Sequence, residues 1–384
     1  MPTYGRLDID LVRGEGAYAY DAEGKQYLDF CSGIAVNALG HSHPALINTL
    51  KEQADKIWHT SNIFKSHKAE ELAKKLCDTS FADMVFFCNS GAEAAESVIK
   101  TIRKYYYDKG QKNKNRIITF KGAFHGRTMA TISAAFKNTE GFAPLLDGFD
   151  KAIFNDLDSV KALINENTAG IFLEPIQGEG GVIPATQEFL QGLRLLCDEH
   201  GILLAFDEIQ SGMGRTGHLW AYQAYGVEPD IISTAKGLGG GFPVGAILTT
   251  AEAGSGMIPG THGSTFGGNP LAIAITNTVF DTIAVDDFLN TVSEVGDYMR
   301  DKISTLDGIQ LVRGLGAFTG IVFNEDTSNT DILEACAKNG LLVVKAGGNC
   351  IRLLPPLNIN KSHADEAVKK LQKAINAVKS LKGI

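Results

Sequence analysis

The chain has 384 residues, 44% apolar and 21% charged, the balance of an ordinary soluble globular protein with room for two or three domains. Its net charge of −8 argues against a general nucleic-acid or anionic-membrane binder, while leaving room for a local basic pocket. The six cysteines include no CxxC pair, which argues against a metal or disulfide framework and fits a reducing cytoplasm.

The first residues, MPTYGRLDIDLVRGEG, carry acids early and no apolar core, so they do not read as a signal peptide. No apolar run reaches the ~18 residues a membrane helix needs. The opening stretch of about 60 residues lacks the rhythm of buried strands. Seven short, continuous apolar runs follow: 84–88, 116–120, 151–154, 170–175, 202–208, 230–234 and 245–250. Their continuity predicts strands buried on both faces.

Helical patterns lie between these runs. After Asn89-Ser90-Gly91, residues Ala95, Val98, Ile99, Ile102 and Tyr105 recur at helical spacing. The segment 186–200 is followed by Gly201, a helix-terminating glycine. The run 108–116 reads as a solvated loop. Beyond residue 270 long helices dominate, and the last opens on Ser362-His363-Ala364-Asp365, a capping-box variant. Alternating strands and helices predict an α/β fold. Residues 61–270 form a large domain with a mostly parallel sheet, and residues 1–60 and 271–384 build a smaller α+β domain.

Reactive side chains gather where predicted strands end, the place where open α/β sheets bind ligands. Ser90, Gly91 and Ala92 open a helix after a strand, which suits a phosphate but equally an ordinary serine cap. Asp207 and Glu208 stand where a buried strand runs out, so each must be paired, solvated or functional. Lys236 follows the next strand and precedes Gly237, Gly239, Gly240 and Gly241, an order opposite to that of a P-loop. A lysine able to form a Schiff base, an acid for a pyridinium and a phosphate turn are together the parts that hold pyridoxal phosphate. Phe124 offers a stacking face, Arg127 a planar fork for a carboxylate, and His125 reads as structural. Glu179 and Arg352 complete the set; an arginine in an apolar run calls for a carboxylate partner that spacing does not identify.

The stretches GIAVNALGHSHP, NSGAEAAE, FHGRT, EPIQGEGG, FDEIQ, STAKGLGGGFP, GSTFGGNP and IRLLPPL occur in this order over nearly the whole chain. In this the sequence resembles the class III pyridoxal-phosphate aminotransferases. The resemblance implies a fold-type-I homodimer in the cytoplasm, with active sites at the subunit interface and pyridoxal 5'-phosphate as cofactor. Lys236 would anchor the cofactor and shuttle a proton, and Asp207 would keep the ring nitrogen protonated. Ser90, Gly91 and Ala92 would hold the phosphate, Phe124 would stack on the ring, and Glu208, Ile209 and Gln210 would also contact the cofactor. Thr265 would reach the phosphate held by the other subunit, with Ser264 close to substrate.

It also implies N-acetylornithine as amino donor and 2-oxoglutarate as acceptor, in ping-pong order. Arg127 would hold the donor carboxylate, and Arg352 that of the keto acid once Glu179 releases it. Ile34 stands where ornithine δ-aminotransferases have a tyrosine, which favours an acylated donor, and Tyr4 matches a tyrosine near the substrate carboxylate. Succinylornithine, succinyl-diaminopimelate, free ornithine and 4-aminobutyrate are rival donors, and an aminomutase or decarboxylase the rival reaction.

Overall fold

A computed structural model describes residues 1–382. Near the N-terminus, strands β1 (Leu11–Glu15), β2 (Tyr18–Asp21) and β3 (Gln26–Asp29) form an antiparallel meander. Then come β4 (Met84–Cys88), β5 (Arg116–Phe120), β6 (Phe149–Ala152) and β7 (Thr168–Leu173). A small hairpin, β8 (Ile176–Gln177) and β9 (Ile183–Pro184), precedes β10 (Leu203–Asp207), β11 (Ile231–Thr234) and β12 (Gly245–Thr249). The C-terminal part adds β13 (Ile309–Leu315), β14 (Phe318–Phe323), β15 (Leu341–Leu342), β16 (Val344–Ala346) and β17 (Cys350–Leu353).

Seven strands form the large sheet in the order β4-β12-β11-β10-β7-β5-β6, and β12 alone runs against the others. Successive side chains of β10 enter opposite cores: Leu204 and Phe206 join one cluster, Leu203 and Ala205 the other. Helix Gly91–Asp108 covers one face with Ala95, Val98, Ile99, Ile102 and Tyr105. Helix Gln187–His200 covers the other with Phe189, Leu190, Leu193 and Cys197, and ends at Gly201 in the left-handed conformation (φ 55°). Each fully buried large apolar side chain contributes about 1.5–3 kcal/mol. This two-sided burial explains why the strands read as continuous apolar runs.

Two local readings change. The expected strand at 151–154 is shifted toward the N-terminus, because β6 is an edge strand whose pairing ends with β5, at Phe120 opposite Ala152. Ile153 beyond that register is 47% exposed. The final helix, Lys361–Lys382, is capped by Asn360 rather than Ser362: Asn360 Oδ1 accepts from the backbone N–H of Ser362 (3.0 Å) and His363 (3.2 Å).

β13-β14-β17-β16 form an antiparallel sheet whose core includes Ile351, Leu353, Leu371 and Ile375 together with Leu28 and Phe30 from the N-terminal part. β15 pairs in parallel with β3, so the two chain ends meet in one sheet. Helix Pro270–Ile283, which the sequence places in the smaller domain, packs Ala272, Ile273, Ile275, Val279 and Phe280 into a core cluster of the large sheet. Among the described residues no helix is long and apolar enough to cross a membrane.

Candidate active site

The C-terminal ends of β4, β10 and β11 open into a cavity of about 460 Å³, within the range of small-molecule sites. Lys236 stands at its wall just after β11, in a tight turn with φ at 45°. A side chain in that left-handed region costs about 1–3 kcal/mol. Gly240 and Gly241, both at positive φ, then turn the chain so that Gly241, Phe242, Pro243 and Val244 also line the cavity. Burial, reinforced by the Arg352 charge and opposed by Asp207, Glu174 and Glu179, lowers the Lys236 ammonium pKa from 10.5 to about 8.

Asp207 ends β10 and is 3% exposed. Its Oδ2 lies 2.7 Å from His125 Nδ1, and its Oδ1 accepts the Ile209 N–H at 3.1 Å. The His125 ring stacks on Phe172 with centroids 4.2 Å apart. Its Nε2 is buried without a partner. The carboxylate is thus held in place at the cavity wall by an imidazole behind it.

Ser90 caps helix Gly91–Asp108, its Oγ accepting from Glu93 N–H at 3.2 Å. The N–H groups of Gly91 and Ala92, also at the cavity, have no partner within the helix. A Cβ on Gly91 would lie 3.0 Å from Ile209 Cδ1, so glycine lets this turn and Ile209 pack closely. The cap and the anion site are therefore compatible: one hydroxyl fixes the turn and leaves two donors at an 18-residue helix N-terminus.

Glu174 was not singled out from the sequence. It is fully buried at the end of β7 and accepts from Phe124 N–H (3.0 Å) and Gly178 N–H (3.2 Å). Burial raises its carboxyl pKa to about 7, against the opposing influence of His125. The signal was the one that marked Asp207, a carboxylate where an apolar strand stops.

Arg352, 1% exposed on β17, finds its carboxylate in Glu179: Nη2 to Oε1 is 2.7 Å. Nη1 donates to Gln210 Oε1 at 3.1 Å and Nη2 to Lys345 O at 3.1 Å. Burial pushes the Glu179 carboxyl up, but Arg352 and then Lys137 outweigh it and hold it below its ordinary value. Arg127 stands exposed at the mouth, with no acidic partner among the described residues. Its guanidinium lies 5.9 Å from the centroid of the Phe124 ring, which also lines the cavity.

Residues 2–375 match the model of the family described as aminotransferase class-III. The chain belongs to the class III aminotransferases. It is 51% identical to acetylornithine aminotransferase 1 of Bradyrhizobium diazoefficiens, over 99% of this chain and 95% of that one. It is 50% identical to a succinylornithine transaminase of Salmonella paratyphi A, over 94% and 90%. The solved N-acetylornithine aminotransferase of Stenotrophomonas maltophilia K279a superposes with a TM-score of 0.87 at 39% identity, covering 99% of both chains.

Not every expected residue of this aminotransferase reaches the cavity. Glu208 follows Asp207 and is turned to the opposite side, as alternation along an extended chain requires. Its carboxylate caps a helix outside the cavity lining, accepting from the N–H groups of Ala221 and Tyr222 (2.9 Å for Tyr222). Ser264 does not line the cavity and instead meets Asn89 Nδ2 through its Oγ at 2.9 Å. Thr265 is exposed beside it, and Tyr4 is 67% exposed. Ile34 is 37% exposed at φ 65° and outside the cavity lining, whereas Val36 lines it. Asp29 fixes that loop by accepting from Cys31 and Ser32 N–H and from His41.

Proposed function

We propose that this class III aminotransferase moves the distal amino group of N-acetylornithine to 2-oxoglutarate, using pyridoxal 5'-phosphate held in the cavity. The observation that carries this reading is the meeting of a depressed-pKa lysine, Lys236, with Asp207 at the wall of one cavity. The donor set suits the cofactor: unpaired N–H groups at Gly91 and Ala92 for a phosphate, Phe124 for a ring face, and an acid for a ring nitrogen. Gln210 and Ile209 complete that wall.

The cofactor, when bound, supplies an aldehyde that takes the amine and a ring that draws electrons from the neighbouring carbon. Lys236 Nζ, neutral in a useful fraction near pH 8, would take the proton from the substrate carbon and deliver it to the carbon that had carried the cofactor's aldehyde. Asp207 would keep a ring nitrogen protonated, and His125 holds the Asp207 carboxylate in place. Arg127 binds the donor α-carboxylate and leaves the distal amine free to enter. During this half-reaction Glu179 neutralises Arg352, so the inner cavity accepts an amine without a nearby carboxylate. In the second, the α-carboxylate of 2-oxoglutarate takes Arg352 and Glu179 yields. One cavity serving both substrates in turn gives ping-pong kinetics.

The same reading includes a cytoplasmic homodimer in which Thr265 reaches the phosphate held by the neighbouring copy and Ser264 approaches substrate. Its support is an exposed apolar group, Trp58 (62%), Ile63 (83%), Phe64 (65%) and Phe266 (60%), beside that segment. Succinylornithine is the competing donor, because the relative named for it is nearly as similar. Steady-state kcat/KM for acetylated, succinylated and free ornithine, read as glutamate formed, decides among them. A strong preference for free ornithine would overturn the acylated-donor reading.

A further inference from the structure

We propose that Lys137 is the positioning residue that receives Glu179 when Arg352 turns to the keto acid. The inference rests on the two-substrate reading above and deepens it, because a carboxylate that yields its arginine needs somewhere to go. Glu179 is shared between two cations: its Oε1 lies 2.7 Å from Arg352 Nη2, and its Oε2 lies 3.4 Å from Lys137 Nζ. The first is a full charge-assisted hydrogen bond, while the second is longer than the usual 2.7–3.2 Å. A modest swing would therefore lengthen one contact and shorten the other.

The surroundings of the two cations differ in the sense this requires. The Arg352 side chain is 1% exposed, so losing Glu179 leaves a buried charge that a substrate carboxylate must satisfy. The Lys137 side chain is 39% exposed, so Glu179 moves toward solvent and keeps a partner throughout. Without that partner, a half-buried carboxylate would be left unpaired as the keto acid enters, and the penalty would appear as weaker keto-acid binding.

The backbone presents Lys137 for this contact. Helix Met129–Ala135 stops just before it, and its neighbours Phe136 (φ 50°) and Asn138 (φ 56°) both adopt the left-handed conformation. Lys137 Nζ also lies 5.8 Å from the centroid of the Phe124 ring, which places it over the cavity wall rather than free in solvent.

The test compares holoenzyme variants with 2-oxoglutarate and with glutarate, a dicarboxylate that cannot react, titrated by calorimetry. Lys137→Met is expected to raise the glutarate Kd and the 2-oxoglutarate KM about three- to tenfold, the scale of a partly exposed ion pair. The donor half-reaction, followed in single turnover, should change less than about twofold. Lys137→Arg should restore glutarate affinity to within about twofold. In a Glu179→Gln background, Lys137→Met should have no further effect on glutarate. A Lys137→Met effect that persists undiminished in that background means the lysine attracts dianions directly, and overturns the proposal. Equal losses in both half-reactions overturn it as well. Glutarate binding needs no turnover, so a wild-type enzyme that forms no glutamate would sink the functional reading while leaving this comparison intact.

Discussion

Arg352 and Glu179, 173 residues apart, meet at 2.7 Å and join β17 to the loop between β8 and β9. Glu179 lines the cavity, and in the proposed reaction it gives way so that a second carboxylate reaches Arg352 behind it. Arg352→Met should lower kcat/KM for 2-oxoglutarate about 10²–10³-fold, the cost of losing a buried charge-assisted partner. Donor kcat/KM should fall far less, because in the proposed reaction Arg127 holds the donor carboxylate. Equal losses for both substrates would remove Arg352 from the keto-acid site.

Lys236 gives two readouts. Lys236→Ala should reduce turnover by about 10³-fold or more and abolish covalent retention of the cofactor after borohydride reduction, read by mass spectrometry. In the wild type, the donor half-reaction should rise with pH and level off above about 8, as the amine becomes neutral.

The same group leaves a mark on stability in the cofactor-free protein. Its folded pKa of about 8 lies below the ordinary 10.5, so the unfolded chain binds the extra proton between those values. Stability therefore rises with pH across that window, and below it the buried ammonium imposes its full cost. Lys236→Met should raise Tm by a few degrees at pH 7.5 and by much less at pH 10.5, checked by calorimetry at both values.

His125→Phe tests the support behind Asp207. The substitution keeps a ring against Phe172 and removes the 2.7 Å contact. Loss of a hydrogen bond to a charged group, about 1.5–3 kcal/mol, should weaken cofactor binding roughly tenfold or more, measured by fluorescence titration of the apoprotein. Unchanged affinity would show that Asp207 needs no second holder.

Gly91→Ala addresses the phosphate end. The added methyl would press on Ile209 at 3.0 Å and shift the turn that presents two N–H groups. Affinity for pyridoxal 5'-phosphate should drop about tenfold, while affinity for pyridoxal, which lacks the phosphate, should stay within about twofold. A parallel loss for both would place the phosphate elsewhere.

Asp207 and Lys236 were legible because each ends an apolar run, and a charge in that position must be satisfied or used. Glu174 carried the same signal, yet its two backbone partners come from residues 124 and 178 and are invisible in a linear reading. The cap that Glu208 supplies is hidden in the sequence for a related reason. A strand's last residues alternate in direction, and only the placement of helix Ala221–Tyr225 shows which side needs a cap.

The chain alone records most of the large sheet, its helices and the residues at the strand ends, because periodicity and continuous apolar runs are local records of which faces are buried. It also determined that Arg352 needs an anion. The motif resemblance points to Glu179 as that anion, and the fold brings it to Arg352 from a distant loop together with Lys137, which nothing in the sequence suggested. Charge pairing acts through space over a few ångströms, and no spacing along the chain encodes that distance.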